Sequence, residues 1–407
     1  MNFWINNPFD HLSGEGRRVQ RYGLLCRALV KAGHHVVWWS SDFNHALKRP
    51  RRLENIYLAP EGYQVRLVPT MPYTDNVSLR RAWSHRRYAH SWYKMAVEAV
   101  ESGELEPPDL VLTSWPPCGI ATTARRFRTL WDCKAVVDVM DAWPESFYRL
   151  LPLPRQMREW FGSLVFWRLH RIARKAFCEA DAVTAVGRTY LNLAARYGCK
   201  APRHLCYHGI TRMSNGANRY ALDEREPLRL IYVGSMGRSY DLLTVVRGVK
   251  KLAEAGEAVR LDFAGTGPKE EMLRQEAQGC HAIRFYGYLS NEDMQQLLSD
   301  SDVAIIPMFP DSYVAVPYKL ADYTAAGLPI ICCLTGETQS FIERYGAGSM
   351  YTAGHVQSFI EVVKRYTRQR NRLTQESLAS ARIARENFMM DAIYPEFVHF
   401  LSDLCGH

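Results

Sequence analysis

The strongest constraint on this chain is an alternation repeated in both of its halves. Short apolar runs lead into glycine-rich or polar loops, and each loop leads into residues at helical spacing. Near the start, Phe3-Trp4-Ile5 reads as a strand and opens into a polar loop, Asn6 to Gly16, ending Ser13-Gly14-Glu15-Gly16. Val19, Leu24, Leu25, Ala28, Leu29 and Val30 then recur on one helical face, Gly33 stops the helix, and His35 to Trp39 reads as the next strand. In the second half Leu228 to Val233 enters Gly234-Ser235-Met236-Gly237-Arg238, and Arg260 to Ala264 enters Gly265-Thr266-Gly267-Pro268. Strands alternating with helices predict parallel sheets of the α/β class, here two Rossmann-like domains facing a cleft. In open sheets of this kind ligands gather beyond the carboxyl ends of the strands, where these loops fall.

At 407 residues the chain exceeds one ordinary domain, and two is the expectation. The boundaries read as 1–205 for an acceptor domain, 206–386 for a donor domain and 387–407 for a terminal helix returning to the first. There is no 18-residue apolar run to cross a bilayer, and Met1 to Pro8 carries no basic leader, so a cytoplasmic protein is expected. The ten cysteines are scattered without paired spacing and read as reduced thiols.

The net charge of +9 is uneven. Residues 1–205 hold 30 Lys+Arg against 18 Asp+Glu, a net of +12, which leaves −3 for the remainder. Either this is a solvated Arg-rich surface, or the first half meets an anionic partner. No recognition helix, finger or RNP signature points to nucleic acid. An anionic membrane, met peripherally from its inner face, or a diphosphate-linked lipid fits better. Arg80 to Ala99 reads as a helix in which Arg80, Arg81, Arg86 and Arg87 interleave with Trp83, Tyr88, Trp92 and Tyr93. It either seats on a membrane or packs in its domain with a charged outer face.

The stretch Asp311 to Pro329 carries the densest chemistry. Pro317 suits a first helical turn, Gly327 a helix stop, and Ile330 to Cys333 a buried strand. Lys319 and Asp322 then share a face one turn apart near a helix N-terminus. A cation there attracts a diphosphate, and the carboxylate accepts the two hydroxyls of a ribose.

Tyr318 to Pro329 resembles the donor-site helix of GT-B glycosyltransferases of the family-4 group, and the subgroup that builds bacterial surface polysaccharides in particular. That resemblance implies a retaining, hexosyltransferase-type enzyme moving a sugar from a nucleotide donor to a hydroxyl acceptor, either lipid-linked or a growing glycan. Asp322 falls on the second of the family's two glutamates, the ribose holder. The first falls on Val314, and Asp311 is the nearest carboxylate to replace it. Lys319 and Arg238 are implied as the phosphate clamp, with Gly234, Ser235, Gly265 and Gly267 lining the donor loops. Tyr286, Gly287 and Tyr288 lie where relatives hold the nucleobase, of UDP or GDP type unresolved. Gly14 and Gly16 match the family's first glycine loop. Asp141-Ala142-Trp143-Pro144-Glu145-Ser146 is similar to a run of the same subgroup, and places Asp141 against the transferred sugar; otherwise Asp141 caps the next helix. The resemblance implies no separate cofactor and no metal, which GT-B enzymes do not usually need. His204, Cys206 and His208 share one face of a strand but match no zinc spacing, and read as a linker. Two other readings stand beside transfer: a GT-B epimerase acting on a UDP-N-acetylhexosamine, and a non-catalytic sugar-nucleotide binder.

Overall fold

The apolar runs pair as parallel strands because crossover helices return each strand to the same edge direction. The computed structural model describes residues 1–213 and 226–406, and these fall into two units. The first comprises Met1–Gly209 with Ile393–His407, the second Ile210–Ala392.

In the first unit the order is β1 (Asn2–Asn6), α1 (Arg21–Lys31), β2 (His35–Ser41), the short ribbon β3 (Phe43–Asn44) and β4 (Arg49–Pro50), β5 (Ile56–Leu58), β6 (Gln64–Val68) and α2 (Leu79–Glu101). It continues with β7 (Leu110–Trp115), α3 (Cys118–Trp131), β8 (Lys134–Val139), α4 (Arg155–Val165), α5 (Trp167–Cys178), β9 (Ala182–Ala185), α6 (Arg188–Arg196) and β10 (Arg203–Leu205). The sheet runs β10-β9-β8-β7-β1-β2-β6-β5, parallel except for β5. Its core is aromatic: Trp4, Trp39, Trp92 and Phe127 are fully buried.

The second unit holds β11 (Leu228–Val233), α7 (Leu242–Glu254), β12 (Val259–Ala264), α8 (Glu270–Glu276), β13 (Ile283–Gly287), α9 (Asn291–Ser299) and β14 (Val303–Ile306). Then come α10 (Tyr318–Ala325), β15 (Ile330–Cys332), α11 (Glu337–Tyr345), β16 (Gly348–Met350), α12 (Val356–Arg368) and α13 (Asn371–Asn387); α14 (Met390–Asp403) follows and belongs to the first unit from Ile393 on. Its all-parallel sheet runs β13-β12-β11-β14-β15-β16. Ser290 caps α9 by accepting the Asp293 N–H at 3.1 Å. Pro317 sits at the N-cap of α10, one place before the first turn expected for it.

Each sheet has one place where the strand order reverses. In the first it lies between β1 and β7, in the second between β11 and β14. Loops leaving two such strands diverge to opposite faces and leave a crevice between them.

Three features differ from the expectations. α2 buries Tyr88 and Trp92 in the core while Trp83 stays exposed, so two of its four aromatics serve packing and not an interface. His204 stacks on Phe397 and Phe400 of α14, with ring centroids 5.4 and 4.8 Å away. Least expected is a fully buried ion pair. Arg21, at the start of α1, donates from Nε and Nη2 to Asp138 of β8 at 2.7 and 2.8 Å. Its Nη1 donates to the carbonyls of Cys206 and Tyr207. Tyr22 and Thr184 donate to the same carboxylate at 2.8 and 2.6 Å. Burial acts to raise the Asp138 pKa, and the Arg21 charge with these hydrogen bonds overrides it and holds it below the usual range. A buried pair so fully satisfied is costly to break from one side, because the other charge is left unpaired. Asp138→Ala should therefore lower stability by about 3–5 kcal/mol in urea unfolding. A loss within a few tenths would show that the pair does not brace the unit.

Candidate active site

The second switch point is assembled from three loops. The loop after β11 turns at Gly234, whose φ of +140° lies outside the range of ordinary side chains. Gly265, after β12, packs against it so closely that a Cβ there would lie 2.2 Å from the Gly234 carbonyl oxygen. A Cβ on Gly267 would lie 2.6 Å from the Met236 nitrogen. Backbone packing therefore requires glycine at both positions. Gly265 N–H donates to the Gly287 carbonyl at 2.6 Å, which joins the loop after β13 to the other two. Beside it Tyr286 and Tyr288 are exposed.

Lys319, in the first turn of α10, lies directly over Gly234. A Cβ on Gly234 would fall 2.1 Å from Lys319 Nζ. The ammonium also faces the rings of Tyr240 and Tyr232, at 4.7 and 5.1 Å. Both the missing side chain and the aromatic faces favour a cation held at the mouth of β11. Two tyrosine hydroxyls fix the geometry. Tyr323 Oη, from α10, accepts the Val233 N–H at 2.8 Å, and Tyr232 Oη donates to the Ser235 carbonyl at 2.6 Å. The loops after β11 and β14 are zipped by Asp241 N–H to Pro307 O and Phe309 N–H to Ser239 O. Asp241 in turn accepts from Thr244 and from Gly354 N–H, both at 2.7 Å.

The structure thus brings Gly234, Ser235, Gly265, Gly267, Gly287 and Lys319 together, with Asp322 one turn further along α10. Arg238 lies on the same loop, exposed and with no partner among the described residues. Asp311 lies in a short helical turn, Pro310–Ser312, ahead of α10. Tyr232, Tyr240, Tyr323 and Asp241 went unread in the sequence. Their roles depend on contacts between loops that no local pattern announces.

In the first unit Gly14 and Gly16 adopt φ of +92° and +64° in the loop leaving β1. Glu15 between them is the anchor. It accepts from Leu12 N–H and Asn44 Nδ2, both at 2.9 Å, and pairs with Arg51. Burial would raise its pKa, but hydrogen bonding from His11 and the Arg51 charge bring it down to about 2. Asp141 follows β8. Its carboxylate accepts from Ala142 N–H at 2.8 Å and Trp143 Nε1 at 3.1 Å, and it caps no helix. Arg81 of α2 stands nearby, its guanidinium 5.4 Å from the Trp143 ring. Desolvation raises the Asp141 pKa to about 6, against those hydrogen bonds and the Arg81 charge.

Two family models divide the chain as the units do. Residues 14–207 match the glycosyl transferase 4-like domain, and residues 227–369 match glycosyl transferases group 1. The chain is a glycosyltransferase of the GT-B fold, in the family-4-like group. No curated protein matches it in sequence. Among solved structures it is similar to sucrose-phosphate synthase from Thermosynechococcus elongatus, with a TM-score of 0.76 and 14% identity over 99% of this chain and 98% of that one. HepE of Anabaena, solved with UDP, gives 0.66 and 12% over 99% and 100%. WaaG, a glycosyltransferase involved in lipopolysaccharide biosynthesis, gives 0.67 and 12% over 98% and 99%.

Two measurements probe the site's construction. Tyr323→Phe leaves the Val233 N–H without its acceptor and should cost about 1–3 kcal/mol in urea unfolding. For Asp141 the folded pKa is raised, so its contribution is full below the unfolded value near 4 and is lost as pH rises to about 6. The stability of the wild type relative to Asp141→Asn should fall across that window and level off above it. A flat difference would show that Asp141 ionises as freely as in the unfolded chain.

Proposed function

We propose that the enzyme is a retaining glycosyltransferase that moves a hexosyl group from a nucleoside-diphosphate sugar to a hydroxyl acceptor on a lipid-linked or growing surface glycan. The observation that carries the donor assignment is Lys319 lodged over Gly234 at the β11–β14 switch point. The bond that breaks joins the sugar's anomeric carbon to the donor's β-phosphate oxygen. As it breaks, negative charge grows on the leaving diphosphate. Lys319, Arg238 and the N-terminus of α10 stabilise that charge, and preorganised donors do so without reorganising. Asp322 holds the ribose, and Tyr286 to Tyr288 border the base. A phosphate oxygen of the donor takes the acceptor's proton, so no dedicated base is assigned. Asp141 contacts the transferred sugar through hydroxyl hydrogen bonds.

Several observations support this reading. HepE is solved with UDP, and a starch synthase IV from Arabidopsis thaliana with ADP, so relatives of this fold hold nucleoside diphosphates. WaaG supports the surface-glycan acceptor through its place in lipopolysaccharide biosynthesis. The proposed transfer is metal-independent, with Lys319 and Arg238 neutralising the diphosphate, and is assigned to the cytoplasm, peripheral to the inner membrane face.

Thermal shift against UDP, GDP, dTDP, ADP and CMP with their common sugars should give one clear responder, since a ligand of the folded state stabilises it by mass action. Lys319→Ala should lose that response and reduce transfer by about two orders of magnitude or more while melting as the wild type does. An active, nucleotide-responsive variant would refute the clamp.

A further inference from the structure

α4 and α5 form a helical pair with a fixed inner side. Gly162 lies flush on Tyr148, where a Cβ would come within 2.3 Å of the ring. Tyr148 Oη and His170 Nε2 are 2.7 Å apart, His170 Nδ1 and Tyr197 Oη 2.5 Å, and Tyr197 donates to Glu145 at 2.8 Å. Ala173 and Phe177 reach the core. The pair is therefore pinned and has no freedom to roll its outer side inward.

That outer side is apolar. Trp160, Leu164, Val165 and Trp167 are 66%, 62%, 56% and 46% exposed. Among the described residues, large exposed apolar side chains are denser here than anywhere else in the chain. Leaving them in water is unfavourable, and a contiguous exposed patch of this kind marks an interaction surface. Its border is cationic. Arg168 and Arg171 stand 5.4 and 5.7 Å from the Trp167 ring, Arg174 and Lys175 follow, and Glu159 is the one acid between Arg158 and Lys175.

Tryptophan with arginine suits the boundary between acyl chains and anionic headgroups, where the ring enters the apolar layer and the guanidinium stays at the phosphates. A second copy of the chain is disfavoured as the occupant, since self-pairing would bring two cationic rims together. The patch also connects to the first unit's candidate site. Phe166, between α4 and α5, lies 5.7 Å from Phe147, Phe147 lies 4.5 Å from Trp143, and Trp143 donates to Asp141.

We propose that the outer face of α4 and α5 docks on an anionic membrane surface and thereby holds the Asp141 loop near headgroup level, within reach of an acceptor anchored in that membrane. The acceptor half of this statement rests on the function proposed above; the docking half does not.

Cosedimentation with vesicles of phosphatidylglycerol and phosphatidylcholine, against phosphatidylcholine alone, tests it. The protein should pellet with the anionic vesicles, less so as salt rises, and stay in solution with the neutral ones. Trp160→Glu with Trp167→Glu should weaken partitioning by about tenfold or more. Melting temperature and nucleotide-induced thermal shift should not change. Leu164→Glu is the second variant should the first melt early. Equal pelleting of wild type and variants, no pelleting of the wild type, or a vesicle-free dimer abolished by the same substitutions would each overturn the docking face. Vesicle binding without any nucleotide response would uphold this face and count against the donor site alone.

Discussion

The first unit depends on the Arg21–Asp138 pair. Neither charge reaches water, so each must be matched by hydrogen bonds, and the residues that supply them are tied in place. Arg21 opens the helix that follows the Gly14–Gly16 loop. Asp138 lies on β8, three residues ahead of Asp141. The carbonyls of Cys206 and Tyr207 come from the segment after β10, and Phe397 of α14 lies 5.2 Å from the guanidinium. One satisfied ion pair thus sets the spacing between a glycine loop, a candidate sugar contact and the returning C-terminal helix.

The second unit solves a similar problem with tyrosines and absent side chains. Glycine is required at 265 and 267 because backbone meets backbone there, and at 234 because its φ is +140°. The close approach places an ammonium over the mouth of β11. Tyr323 and Tyr232 then spend their hydroxyls on the backbone around the same turn, which makes the loop rigid before any donor arrives. In the proposed reaction, preorganisation of this kind lets a few charges stabilise the leaving diphosphate, since nothing must move when charge develops.

The tryptophans mark a division of labour in the first unit. Trp4, Trp38, Trp39, Trp92 and Trp115 are wholly buried and build the core. Trp160 and Trp167 have no such role, and the pinned geometry of α4 and α5 gives them no route to one. Charge sorts in the same way, with arginines beside these rings and Glu159 the one acid between Arg158 and Lys175.

The sequence by itself determined the α/β class, the repeated strand–loop–helix units, the glycines of the loops after β11 and β12, and Lys319 near the start of a helix. Those features are local: hydrophobic periodicity, turn residues at fixed offsets and a helix start are readable within a short window. Only the tertiary structure decided which distant residues meet. Nothing near Arg21 indicates Asp138, since the two are brought together by strand order. Nothing near Val233 indicates Tyr323, which arrives through the β14 crossover. Tyr88 and Trp92 look interfacial in sequence because a basic helix with aromatics has two readings, and packing alone chooses between them. The α4–α5 face too is decided by packing: Tyr148, Gly162 and His170 fill the inner side and leave Trp160 and Trp167 in water.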